Sequence, residues 1–361
     1  MTDLPIAVLD PPAIVCPPAE ATLHQSLDSQ QIALAVRPFA SEQRWRSWWN
    51  LWSTIAVLGG LIFLLCRDLP WLIRLPFSLV AGLMIVRFFV LYHDHEHGAI
   101  LKGSKLADIV MFAFGLATLN PPSVWKRSHD HHHGNNCKGF GANIGSYPLL
   151  TVAAYENASF WERWRYAAAR HPLTILLGYL TMFFLGMCVA PLVANPKRHL
   201  DAALAIACHV GLLVWLATGS LENMWLAGVI PCAFSSAVGA YLFFAQHTFP
   251  GAHVRPGRDW DYVYAALHSS SHIRMGRLMR WFTGNIGYHH VHHLNSKIPF
   301  YRLPEAMAAI EELQSPVTTS LHPRDVSACL RLKLWDPVTE QHVPWKQAVH
   351  PPRETESRMA A

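Results

Sequence analysis

Long apolar runs separated by short charged blocks dominate this chain. They cover Asn50–Cys66, Leu75–Tyr92, Pro172–Ala194, Ala202–Gly219 and Met224–Ala245, with a shorter run at Leu106–Leu119. A bilayer-crossing helix needs about 20 apolar residues, and about 17 to 25 are tolerated. The pattern therefore predicts an all-α multi-pass membrane protein with about four spanning helices plus re-entrant or interfacial helices. Leu106–Leu119 is too short to cross and is expected to dip in or lie at the interface. Ala202–Gly219 and Met224–Ala245 read as an out-and-back hairpin around the acidic turn Gly219–Met224.

Basic residues orient these runs, because Lys and Arg concentrate on the cytosolic side. Arg37, Arg44 and Arg46 precede the first run, while Lys102, Lys105, Lys126 and Arg127 bracket the short one. This predicts a cytosolic face that carries residues 93–98 and 129–133. Pro172–Ala194 has basic residues at both ends (Arg163, Arg165 and Arg170 before; Lys197 and Arg198 after), and Gly178, Gly186 and Pro191 interrupt it. A single crossing there would put His247 or His129 on the opposite face, so a re-entrant hairpin or interfacial helix is expected. Arg87 lies inside the second run, where a mid-bilayer charge costs about 2.5–3.5 kcal/mol. It is expected to snorkel to the cytosolic end.

Composition agrees with a membrane protein. Charged residues make up 15% of the chain and hydrophobic ones 52%, against about 25% charged in soluble domains. The net charge of +5 is small and no compact basic block occurs, so nucleic acid is not an expected partner. Seven cysteines lack any C-x-x-C spacing and imply neither a disulfide framework nor a zinc ribbon. Residues 1–46, scattered with prolines and without the basic-then-apolar pattern of a signal peptide, read as a mostly disordered cytosolic arm. Residues 47–293 form the expected membrane domain. Residues 294–361 form a cytosolic cap that opens with a short amphipathic helix at Pro304–Gln314.

Three histidine knots change the picture: "HDHEHG" at His93, "HDHHHG" at His129 and "HHVHH" at His289. On a helix, positions i, i+3 and i+4 share a face. His93 and His97 then face together, as do His129, His132 and His133, and His289, His292 and His293. His95, His131 and His290 point elsewhere. Crowded imidazoles become favourable when a cation displaces their protons. Eight nitrogen ligands exceed what one first-row ion accepts, so two ions are implied, although ligand type alone does not name the metal. Location beside the apolar runs suggests redox chemistry on a lipid.

The spacing H-x₃-H, H-x-x-H-H, H-x-x-H-H resembles the integral-membrane fatty acid desaturases. "WKRSHDHHHGNN", "FFAQHTFPG" and "RWFTGNIGYHHVHHLNSKIPFYRLPEA" are similar to that family's second box, Gln-His element and third-box region, the last being closest to the acyl-lipid, Δ12-like enzymes. The likeness runs from roughly Arg46 to Trp345. It implies that His93, His97, His129, His132, His133, His289, His292 and His293 are metal ligands, with His247 completing the shell of two iron ions. It also implies Asn285 as a holder of metal-bound water, with Asp94 and Asp130 as partners of ring N–H groups. The implied reaction is O₂-dependent insertion of a cis double bond into an acyl chain, on a lipid or a thioester. Electrons would come from a separate ferredoxin or cytochrome b5, since the chain has no haem "HPGG" motif or flavin fingerprint. Rival readings are hydroxylation or carotenoid-type oxygenation on the same scaffold, and a histidine-rich metal transporter or store.

Overall fold

The computed structural model describes residues 27–140, 145–255 and 257–346. Among the described residues, four helices are long and apolar enough to cross a membrane: Arg44–Leu65, Trp71–Glu96, Leu200–Gly219 and Leu221–His247. Each matches one of the expected runs, the first ending one residue short of the expected Cys66. The second and fourth form the centre of the bundle and are about half buried, whereas the first and third expose most of their surface. Trp45, Trp49, Trp52 and Phe63 project outward from the first, as lipid-facing side chains do.

Close contact between the two central helices depends on Gly82. A Cβ there would sit 2.9 Å from the Pro231 carbonyl oxygen and from the Phe234 ring. Pro231 also shapes its own helix, because it follows a π-helical stretch, Met224–Val229. A proline donates no hydrogen bond to the carbonyl four residues back, and its ring crowds that carbonyl, so the preceding turn widens. Pro191 repeats this arrangement after the π-helical Tyr179–Val189.

The short run forms a helix of 13 residues, Lys105–Ala117, capped by the Ser104 side chain. At 1.5 Å per residue it is about 20 Å long, short of a hydrocarbon core of about 30 Å. The 172–194 segment runs part-way along the bundle and turns back. It starts beside the end of the fourth span, where the Arg170 guanidinium donates to Thr248 Oγ1 at 3.2 Å. It descends as Pro172–Leu176 until Gly178 packs against Ala240 and Ser236. Tyr179 then meets His209, nine residues into the third span. The helix Tyr179–Ala194 leads back to His199 and Asp201, which pair with Ser123 Oγ at 2.9 Å and 2.6 Å.

Arg87 does not snorkel. It is 3% exposed, and it donates to Thr54 Oγ1 at 3.2 Å, to Asn50 Oδ1 at 2.5 Å and to the Trp281 carbonyl. Internal acceptors on the first span replace water, so the side chain has no need to reach the interface. Arg74, near the other end of the second span, pairs with Glu222 at 2.8 Å and donates to Asn223 Oδ1 and the Leu65 carbonyl at 2.5 Å. It ties both far-side turns together.

Residues 1–26 of the expected disordered arm lie outside the described residues. The rest departs from that expectation: Ser29–Ala35 is a helix with a capping box from Asp28 and Gln31, and Ile32 and Val36 are buried in the main core. Beyond the fourth span the described residues form short helices and two small sheets. His272–Arg274 pairs in parallel with Thr318–Ser320, and Leu334–Asp336 pairs antiparallel with Gln341–Val343. The first pairing crosses the boundary expected at 293/294, so the cap is interwoven with the third histidine knot. The amphipathic helix is shorter than expected, Leu303–Ala309 followed by a 3-10 turn at Glu311–Leu313. Ile310 breaks it by taking an extended conformation and burying its side chain in the core.

Candidate metal centre

All nine histidines singled out in the sequence converge at one end of the bundle. His93, His97, His129, His133 and His292 form one group, and His132, His247, His289 and His293 form another. Within each, the ligand-capable nitrogens all lie within 4.8 Å of one another. Helical spacing explains the partition. In each H-x-x-H-H knot the i and i+4 rings enter one group and the i+3 ring enters the other. Thus His129 and His133 join the first group while His132 joins the second; His289 and His293 join the second while His292 joins the first.

Hydrogen bonds from the outer nitrogens orient several rings. His247 Nδ1–H donates to the Ser269 carbonyl at 3.0 Å, which leaves the lone pair on Nε2. His93 Nδ1 lies 3.0 Å from the Asp94 carboxylate, whose second oxygen accepts from the Phe300 N–H at 2.7 Å. His132 Nδ1 lies 2.8 Å from the Ser146 hydroxyl. Such partners fix ring orientation and raise ligand basicity. Ser146 reaches His132 because Gly145 takes a positive φ of 74°, in a loop pressed so close that a Cβ would collide with the Ser128 carbonyl.

Burial, reinforced by neighbouring ring charges, holds His97, His129, His132, His133, His289, His292 and His293 well below the usual imidazole range. Neutral rings present lone pairs, and these crowd together. His247 Nε2 stands 3.1 Å from His132 Nε2 and 2.9 Å from His289 Nε2; His133 Nε2 stands 3.1 Å from both His129 and His292 Nε2. His97 Nε2 is buried without a hydrogen-bond partner. Lone pairs brought together without enough protons repel, whereas a cation in each group satisfies them. The donor set fits two borderline metal ions.

The three histidines expected to point away do so. His95 pairs with the Ile100 carbonyl and Asp108, His131 is exposed beside Asn135, and His290 Nε2–H donates to the Leu313 carbonyl at 3.1 Å. Two other expectations are corrected. Asp130 is exposed and pairs with Lys126 at 3.4 Å, one helical turn away on the solvent face, so it meets no ring. Asn285 donates its amide to the Phe300 carbonyl at 3.1 Å and lines a different pocket, because its positive φ of 55° directs it there. Ser146 and the Ser269 carbonyl were not foreseen. Backbone carbonyls leave no mark in a sequence, and Ser146 lies 14 residues from its ring.

The site forms one end of a cavity of about 670 Å³, lined mainly by apolar side chains such as Val90, Trp125, Met182, Leu242 and Phe243. His93, His129 and His289 contribute to its wall. Along the fourth span the lining runs from Gln246 to Cys232, about 21 Å at 1.5 Å per residue. Tyr179 and His209 line it deep in the bundle; His209 Nδ1–H donates to the Ala117 carbonyl at 2.7 Å, leaving Nε2 to accept from the Tyr179 hydroxyl. Gln246 joins the cavity to the third knot by donating to the Ile286 carbonyl at 3.0 Å.

Among the described residues, four apolar helices with two polyhistidine groups beside a long apolar cavity define a multi-pass helical membrane protein. More particularly, the chain belongs to the fatty acid desaturase family, whose sequence profile matches residues 69–323. It is 31% identical over 328 residues to the fatty acid desaturase of Bacillus subtilis (strain 168), covering 90% of this chain and 92% of that protein. The sn-1 oleoyl-lipid 12-desaturase of Synechocystis is 22% identical over 275 residues, 73% of this chain and 77% of that one. The sn-2 acyl-lipid omega-3 desaturase (ferredoxin) of Helianthus annuus is 25% identical over 281 residues, 73% of this chain and 61% of that one.

Proposed function

We propose that this oxidoreductase introduces a cis double bond into an acyl chain carried on a membrane lipid or a thioester. The reading rests on one observation above the others: two convergent histidine groups share a wall with an apolar cavity about 21 Å long. His93, His97, His129, His133 and His292 hold one iron ion, and His132, His247, His289 and His293 hold the other. Imidazole accepts several metals, and family membership favours iron. When bound, the irons activate O₂ to an oxidant strong enough to remove two hydrogens from an unactivated methylene pair, which no side chain can do.

This chain's own residues position and protect. The cavity wall holds the acyl chain extended with one carbon pair beside His93, His129 and His289. Val90, Trp125, Leu242 and Phe243 exclude bulk water from that point. Asp94, Ser146 and the Ser269 carbonyl hold three rings in the tautomer that directs Nε2 inward. Electrons come from a separate protein, a ferredoxin or cytochrome b5; the Helianthus relative named for ferredoxin supports the first. The histidine face lies toward the cytosol, consistent with the basic residues that border it.

The rival reading is hydroxylation on the same scaffold, which differs in the fate of the substrate after the first C–H cleavage. Expression in a host lacking the activity, followed by mass spectrometry of fatty-acid methyl esters, separates the two. A new cis-alkene is expected; an alcohol without an alkene would sink the desaturase reading.

A further inference from the structure

A second pocket, of about 390 Å³, lies where the first two spanning helices meet the short helix Arg277–Phe282. Arg46, Arg87, Arg277 and Arg280 all line it, and none of its lining residues is acidic. Arg87 is 3% exposed, yet its acceptors, Thr54, Asn50 and the Trp281 carbonyl, are all neutral. Its guanidinium also stacks 4.1 Å from the Trp281 ring centre. Among the described residues, no carboxylate pairs with Arg87, Arg277 or Arg280; Arg46 alone meets an acid, Glu305 at 3.5 Å. A buried guanidinium without a counter-charge is costly to maintain, so the pocket is short of negative charge.

The chemistry that repairs this deficit is a phosphate. Guanidinium forks match phosphate oxygens two at a time. The source follows from the surroundings: Leu278 is 71% exposed and Trp281 43% exposed on the same short helix, as befits side chains seated at the headgroup level of a bilayer. A carboxylate on the surface of a folded partner would have to enter a concave pocket beside lipid-facing side chains to approach Arg87. We propose that this pocket binds the phosphate of a membrane phospholipid headgroup, gripped by Arg277 and Arg280 and balancing the charge of Arg87. The site shares no lining residue with the histidine cavity and does not depend on the reaction performed there.

The test uses delipidated, detergent-purified full-length protein and native mass spectrometry. Dioctanoylphosphatidylglycerol, dioctanoylglycerol and inorganic phosphate are titrated separately. The phospholipid is expected to fill one saturable site more than the phosphate-free diacylglycerol, which can enter only the histidine cavity. Arg277→Gln/Arg280→Gln, at two positions that are at least partly exposed, should weaken phospholipid binding at least tenfold. Equal phospholipid binding by the double variant and the parent overturns the proposal. Inorganic phosphate binding as tightly as the lipid overturns the assignment to a headgroup. A double variant that keeps phospholipid affinity but shows a raised KM for ferredoxin overturns it in favour of protein docking.

Discussion

The Ser146 hydroxyl lies 2.8 Å from His132 Nδ1, holding that ring so that Nε2 faces His247 at 3.1 Å. A hydroxyl 14 residues along the chain thus sets the geometry of the four-histidine group. Losing an oriented partner of a metal-ligating histidine costs about 10–100-fold in metal affinity or activity. Ser146→Ala should therefore weaken retention of the second metal by about tenfold or more. Metal analysis after incubation with graded chelator checks this; unchanged retention would remove Ser146 from the account.

His131 and His132 are neighbours with opposite fates. His131 is exposed, with its ring beside the Asn135 amide at 3.4 Å, whereas His132 is buried among the ligands. His131→Ala should retain most of the parent's alkene yield, while His132→Ala should abolish it. The comparison is read from methyl-ester profiles of cells expressing each variant at matched protein levels.

Gly239 marks the middle of the cavity. It lines the wall, and a Cβ built there meets nothing within 4 Å. It stands seven residues from Gln246, about 10 Å along the helix. Gly239→Phe should block the path of a long acyl chain while leaving the histidine groups intact. Turnover of long chains should fall at least about tenfold, a barrier increase of about 1.4 kcal/mol, with iron content unchanged. Equal turnover with the ring in place would mean that the chain lies elsewhere.

The parts of this structure that were legible in the sequence are those governed by local periodicity. Apolar run length located the four spanning helices, and i, i+4 spacing separated His93 and His97 from His95. Contacts between distant segments were not legible. That His292 joins His129 while His289 joins His132 depends on how two helices meet, 159 residues apart in the case of His133 and His292. Arg87 illustrates the same limit: an arginine in an apolar run suggests snorkelling, and only the packed structure shows Asn50, Thr54 and the Trp281 carbonyl waiting for it. Asn285 precedes the third knot closely in sequence, yet its left-handed backbone carries its amide to Phe300.

The proposal's central claim is that the nine histidines, which divide five and four, would hold two irons. Iron counted per chain in purified protein, by inductively coupled plasma mass spectrometry, tests it most directly. The account predicts about two irons per chain in the parent and about one in His132→Ala, since that substitution removes a ligand from one group only. A parent that carries zinc in place of iron, or no more than one metal ion per chain, would contradict it.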